Sequence, residues 1–294
     1  MNSKSAKNRL IEKGIRAGEV DMYDEDTIWS QNSSDKVDIA EELMRIVREI
    51  FRSVPLDRNL KALSIGSGSE PQFQILEASF REGLFLLDID RIPLSVIDRR
   101  IKSHWIDHVS TIQADYNKTL VCIEDAQRFL REELGGSRQD LITLHHSLYY
   151  ASESDWAELF SSLYSTILSF KGFIHAVMMS SDCREKNSTT WLYNHFAGKF
   201  FGCRNDQDLV LFSKTLGRSS SFRKADIHVE THRVKFFNDD FEKFMAVIWM
   251  ILLYPNVHDY TLDQKEEITE YVYGNFYKTG KPLIQMQDHL VIGK

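Results

Sequence analysis

The chain has 294 residues, 36 basic and 43 acidic, for a formal charge of −7, and 43% of its residues are hydrophobic. That composition supplies a full core and excludes disorder, a collagen-like repeat and a disulfide-stapled mini-domain. An acidic chain has no general affinity for phosphate backbones or anionic lipid, so neither nucleic acid nor membrane is expected as a partner.

Three cysteines, Cys122, Cys183 and Cys203, cannot all pair and show no CxxC spacing, which points to a reducing, cytoplasmic setting. The segment Met1 to Arg16 is polar and lysine-rich without the apolar stretch of a secretory signal, and reads as a frayed tail. From Ile39, the residues Leu43, Ile46, Val47 and Ile50 recur at helical spacing, with Asn32 to Asp35 supplying N-cap side chains. Pro55 to Asn59 breaks that pattern. Lys61 to Ile65 then reads as a buried strand running into Gly66-Ser67-Gly68-Ser69-Glu70, and Pro71 opens a helix whose face is Phe73, Leu76 and Phe80. Leu84 to Leu87 is a second strand ending in Asp88-Ile89-Asp90, followed by helical spacing from Pro93 to Ile101. A third strand, Val109 to Gln113, ends at Asp115, and a helix closes through Phe129 to Leu134 at Gly135-Gly136. The fourth strand, Leu141 to Leu144, enters His145-His146-Ser147-Leu148-Tyr149-Tyr150; a helix with Trp156, Leu159, Phe160 and Leu163 and a fifth strand, Phe173 to Met179, follow. Strands alternating with helices in this way predict a mostly parallel sheet covered on both faces.

Beyond the fifth strand the pattern loosens. Trp191 to Phe201 is aromatic-rich, and Leu216 to Lys224 with its three serines reads as an exposed loop. Ile227 to Phe237 is a sixth strand, Phe241 to Leu253 and Gln264 to Phe276 are helices, and Gln285 to Ile292 is the last strand. The most apolar run, Phe244 to Tyr254, spans roughly 11 residues against the roughly 20 that cross a bilayer, so it is expected as a buried helix.

Gly66 and Gly68 after the first strand allow a ligand close to the backbone. A dinucleotide fingerprint needs a third glycine at position 71, where this chain has proline, which argues against NAD. Carboxylates follow strands two and three: Asp88 or Asp90 suits the paired hydroxyls of a ribose, and Asp115 an adenine amino group. His145 and His146 are adjacent on an extended segment, so they point to opposite sides. No third ligand stands at a metal spacing, and no metal is expected. His145 reads as a buried, hydrogen-bonded histidine and His146 as a base or substrate contact. Tyr149, Tyr150, Trp191, Tyr193 and Phe200 are either core residues or an aromatic wall for a cationic amine.

Leu63-Ser64-Ile65-Gly66-Ser67-Gly68 with Glu70, then Leu87-Asp88-Ile89-Asp90, then Ala114-Asp115, resemble the class I S-adenosylmethionine-dependent methyltransferases over about Lys61 to Asp182. More narrowly, Asp140 through Leu148-Tyr149-Tyr150 with the Trp156 helix, the Glu70 to Leu76 segment and the closing Leu290-Val291-Ile292 resemble the histamine N-methyltransferase family. The resemblance implies a doubly wound, mostly parallel, seven-stranded Rossmann-like sheet. It also implies an N-terminal helical cap over residues 1–54, a cofactor core over 55–215, and C-terminal strands and a helical lid over 216–294 that complete the same sheet. It implies S-adenosyl-L-methionine as cofactor, held by Gly66, Ser67, Gly68, Glu70, Asp88, Asp90, Asp115, Tyr116 and His145. Of the two carboxylates, Asp88 is the preferred ribose ligand. His146 and Tyr149 take the catalytic positions, and Tyr23, Asp35, His146, Tyr150 and Gln285 the substrate positions. The expected protein is a monomeric enzyme methylating a small-molecule amine or imidazole nitrogen; O-methylation and cofactor binding without turnover are the alternatives. Asp35, His146 and Gln285 stand where the family has glutamate, glutamine and asparagine, so histamine itself does not follow.

Overall fold

In chain order, the computed structural model contains α1 (Ser3–Arg16), α2 (Met22–Asn32), α3 (Asp35–Ser53), β1 (Lys61–Ile65), α4 (Phe73–Ser79), β2 (Gly83–Asp88), α5 (Arg91–Ser103), β3 (Val109–Gln113), α6 (Tyr116–Thr119), α7 (Ile123–Glu132) and β4 (Gln139–His145). It continues with α8 (Glu153–Ser162), β5 (Leu168–Met179), α9 (Thr189–Phe201), α10 (Leu209–Arg218), β6 (Asp226–Phe236), α11 (Phe241–Leu253), α12 (Leu262–Asn275) and β7 (Leu283–Gly293). The structure describes residues 3–19, 22–253 and 258–294; Met1, Asn2 and Tyr254, which belong to segments read above, lie outside them. The seven strands form one sheet in the order β3-β2-β1-β4-β5-β7-β6. β1 pairs in parallel with both β2 and β4, and the pairs β2–β3 and β4–β5 are parallel too.

The chain divides into two compact units, one of residues 1–36, 179–207 and 232–287, the other of residues 37–178, 208–231 and 288–294. In the second unit the period of two along each strand sorts apolar side chains to two faces. Ala62, Leu84, Leu86, Leu141, Val177 and Val291 form a core with the α3 stripe Ile39, Leu43, Ile46, Val47 and Ile50. Leu63, Ile65, Leu87, Ile142, Leu144 and Ile174 form another with Trp156, Phe160 and Phe212. The buried Asp140 ties the strand starts together: it pairs with Arg58 and accepts hydrogen bonds from Ser169 Oγ (2.7 Å) and the Lys61 N–H (3.1 Å).

In the first unit, α11 is buried along nearly its whole length, as its apolar run predicts. At Gly14, a Cβ would stand 2.6 Å from Thr269 Cγ2, and the Gly14 carbonyl accepts from Trp249 Nε1 at 2.8 Å. That close approach explains why residues from Ser3 onward form a packed helix and not the frayed tail expected from their polarity. The α2 helix was not visible as a stripe; its Trp29 is buried and stacks on Phe236 at 5.5 Å. The aromatic segment forms helix α9. The loop expected over Leu216 to Lys224 is corrected only at its start: Leu216 to Arg218 closes α10, whose inner face is Leu209, Phe212 and Leu216, while 219–224 is a mostly exposed turn in which Phe222 is buried. The serine cluster there masked a three-and-four spacing that is helical. No described helix is long and apolar enough to cross a membrane.

Candidate functional site

The strand order reverses between β1 and β4: from β1 the chain builds outward through β2 and β3, then returns to the other side with β4 and β5. In an open doubly wound sheet, ligands bind outside the carboxyl ends of the strands at that reversal. Four loops meet there in the second unit. Gly66 has φ +65°, and a Cβ on it would fall 2.3 Å from Ser147 Cβ, so the loop after β1 lies directly against the loop after β4. Only glycine meets both conditions. Gly68 also has a positive φ, +51°, but no heavy atom lies within 4 Å of where its Cβ would stand.

The loop is held by its neighbours. The Gly68 N–H donates to Asp88 Oδ2 at 2.7 Å, the Ser67 N–H to the Leu87 carbonyl at 3.0 Å, and the Asp90 N–H to Asp88 Oδ1 at 2.8 Å. Asp88 thus uses one lone pair on each oxygen for the backbone and keeps carboxylate capacity for a ligand. Glu70 is buried with φ +49°, a conformation costly for a side chain. Its carboxylate accepts from Ser64 Oγ at 2.5 Å and from the Gln72 N–H at 3.1 Å, which holds the turn. Asp90 caps α5 by accepting from the Ile92 N–H at 2.8 Å. Asp115 accepts from the Asn117 N–H at 3.0 Å and lies 3.1 Å from Lys118 Nζ.

The loop after β4 is tied to the same place. The Tyr116 hydroxyl donates to the Ser147 carbonyl at 2.7 Å. Burial, then the Asp115 and Asp88 carboxylates, push the Tyr116 phenol well above its ordinary range, so it remains a donor. Asn117 Nδ2 donates to the Tyr150 carbonyl at 3.0 Å. His146, at φ +52°, stacks on Tyr149 with ring centroids 6.3 Å apart, while His145 turns the other way and its Nε2 lies 3.0 Å from His175 Nδ1.

Gly66, Ser67, Gly68, Glu70, Asp88, Asp90, Asp115, Tyr116, His145, His146, Tyr149 and Tyr150 therefore all belong to the strand ends and loops of one unit. Tyr23, Asp35 and Gln285 belong to the other unit, where Asp35 and Gln285 are buried. The Asp35 N–H donates to Ser33 Oγ at 3.3 Å, and Gln285 Nε2 to Gln287 Oε1 at 3.2 Å. In that unit Tyr193 is fully buried, Trp191 stacks on His195 at 4.6 Å and Phe200 packs on Phe196, so all three rings serve packing there.

Sequence reasoning missed the surroundings of His145. His175 and His289 are fully or nearly fully buried on β5 and β7. A lone histidine inside the apolar run Phe173 to Met179 was the available signal for the first; His289 follows Gln287-Asp288 and stands out less.

No protein-family model matches the chain, and no curated protein matches it by sequence. Solved structures do match. The YcgJ protein of Bacillus subtilis aligns with a TM-score of 0.53 at 10% identity, over 85% of this chain and 97% of that one. A "putative methyltransferase" from Bacillus halodurans aligns with a TM-score of 0.51 at 13% identity, over 84% and 97% of the two chains. A "putative sarcosine dimethylglycine methyltransferase" from Galdieria sulphuraria gives 0.50 at 12% identity, over 88% and 84%. Likeness at this level of identity is likeness of fold.

Proposed function

Because the chain has the Rossmann-like fold of the class I methyltransferases, we propose that it transfers a methyl group from S-adenosylmethionine to a small-molecule amine or imidazole nitrogen. The observation that carries the reading is the glycine loop at the β1/β4 reversal. Gly66 is forced against Ser147, Gly68 is open above its Cα, and Asp88 braces the loop from the end of β2. The arrangement suits such a cofactor: the Gly66-Ser67-Gly68 backbone would hold its amino-acid end, Asp88 would accept from its ribose hydroxyls and Asp115 from its adenine amino group. Asp88 is preferred to Asp90 for the ribose because the Asp90 carboxylate already serves as a helix cap. On the family resemblance, Glu70, Tyr116 and His145 would complete the cradle. When bound, S-adenosylmethionine supplies an already activated methyl group, so the chain's task is to hold a neutral nitrogen in line and exclude water.

His146 and Tyr149 stand for the catalytic positions, and Tyr23, Asp35, Tyr150 and Gln285 for acceptor recognition, on the family resemblance. Calorimetric titration tests the cofactor first: S-adenosylmethionine and S-adenosylhomocysteine are expected to bind and NAD not to. Binding of NAD alone overturns the reading.

The acceptor is tested separately. Asp35→Asn removes the anion proposed to hold an ammonium group, and is expected to raise KM for a cationic acceptor about 10- to 1000-fold, at about 1.4 kcal/mol per tenfold. S-adenosylhomocysteine affinity should not move. In a screen of histamine, related amines and phenols, turnover confined to neutral phenols and indifferent to Asp35 shifts the assignment to O-methylation.

A further inference from the structure

Four side chains of the second unit make a continuous hydrogen-bonded line. His145 Nε2 lies 3.0 Å from His175 Nδ1, His175 Nε2 lies 3.2 Å from His289 Nδ1, and His289 Nε2 lies 2.9 Å from Asp38 Oδ2. The three imidazoles come from β4, β5 and β7, neighbours in the sheet, and Asp38 comes from α3. On each strand the histidine shares a face with apolar residues of one core: Leu141 on β4, Val177 on β5 and Val291 on β7. Three buried polar rings are costly unless hydrogen-bonded.

The connectivity dictates where the hydrogens sit. A carboxylate can only accept, so His289 donates from Nε2. A neutral His289 then accepts at Nδ1 from His175 Nε2–H, and His175 in turn accepts at Nδ1 from His145 Nε2–H. A second arrangement satisfies these three contacts equally: His289 doubly protonated beside Asp38, with His175 and His145 both carrying their hydrogens on Nδ1. The two arrangements differ by one proton. They interconvert when a proton enters at His145 Nδ1, His145 passes its Nε2 hydrogen to His175 Nδ1, and His175 passes its Nε2 hydrogen to His289 Nδ1. Burial, the neighbouring histidines and Arg45, whose guanidinium bonds to Glu42 and His228, hold His175 well below the ordinary histidine range. The middle ring is thus a conduit and not a place where charge rests. In the second arrangement the added charge lies on His289, opposite the Asp38 carboxylate.

We propose that His145, His175, His289 and Asp38 form a proton relay, which accepts a proton at the carboxyl end of β4 and holds it as the His289–Asp38 ion pair. The relay itself stands on geometry. Its source of protons, the nitrogen being methylated, rests on the methyltransferase reading. One proton leaves that nitrogen for His145 and one appears on His289, and the reverse path returns it to water once product has left. His145 is then a catalytic base, and His175, His289 and Asp38 are positioning residues.

The test is nitrogen NMR of histidine-labelled protein, in which ring nitrogens with and without hydrogen are widely separated. In wild type, His145 and His175 should carry their hydrogens on the same ring position, and His289 should carry one on Nε2. Asp38→Asn offers His289 an amide that can donate, so a form with hydrogen on Nδ1 of His145 should appear three side chains away; Asp38→Glu should restore the wild-type spectrum. With whichever amine of the acceptor screen is turned over, Asp38→Asn should lower kcat about tenfold or more, tenfold being about 1.4 kcal/mol, and leave S-adenosylhomocysteine affinity unchanged. Hydrogens on different positions of His145 and His175 in wild type, or a His145 signal indifferent to Asp38→Asn, overturns the relay. The wild-type spectrum decides even where the variant fails to fold. Correct spectra in a protein that binds no S-adenosylhomocysteine would overturn the methyltransferase reading and leave the relay standing.

Discussion

Gly68→Trp is expected to abolish S-adenosylhomocysteine binding, by at least about 1000-fold, or about 4 kcal/mol, in a protein that still folds. Two features of one residue separate those effects. Its φ of +51° strains any side chain, at about 1–2 kcal/mol. The direction a Cβ would take is empty to 4 Å, so an indole finds no protein atom to displace near its root. The ring therefore fills the space assigned to the cofactor. Gly68→Ala carries the same backbone strain with almost none of the bulk, and should keep binding within about tenfold, at the same 1.4 kcal/mol per tenfold. Calorimetry and thermal unfolding on both variants check this. A tryptophan variant that binds like wild type would place the cofactor elsewhere.

Asp88→Ala should weaken S-adenosylhomocysteine by about 100- to 10,000-fold, since hydrogen bonds to a charged group contribute about 1.5–3 kcal/mol each and two ribose hydroxyls are involved. The same carboxylate accepts the Gly68 and Asp90 N–H groups, so a looser loop could weaken binding by itself. A cycle with an S-adenosylhomocysteine analogue lacking both ribose hydroxyls separates the two causes. If Asp88 binds the ribose, the effects of the substitution and of the missing hydroxyls do not add; if it only braces the loop, they do. Asp90→Ala, which removes a helix cap, should instead lower stability by about 1 kcal/mol and leave affinity nearly unchanged.

The regular part of the site was legible because it is local. Gly66 and Gly68 follow an apolar run, Asp88 ends the next and Asp115 follows the third, and each contact that fixes them reaches only to an adjacent strand end. Some local detail still escaped. That Glu70 would adopt a left-handed conformation and be held by Ser64 is a matter of the turn's shape, which composition does not describe. The α10 stripe was hidden by the serines that follow it, and the α1 helix by its polar composition, because its partners Thr269 and Trp249 are more than two hundred residues away.

By itself, the amino-acid sequence determined the alternation of strands and helices, the parallel pairing this requires, and the carboxyl-end loops where glycine and carboxylates collect. Each of these follows from periodicity and turn chemistry within about ten residues. Only the tertiary structure decided what His145 meets. Its partners stand at positions 175, 289 and 38, on two other strands and a helix, and the strand order that sets β5 between β4 and β7 puts their rings in line. A hydrogen bond needs an approach of about 3 Å, and no spacing along a chain specifies that between residues so far apart.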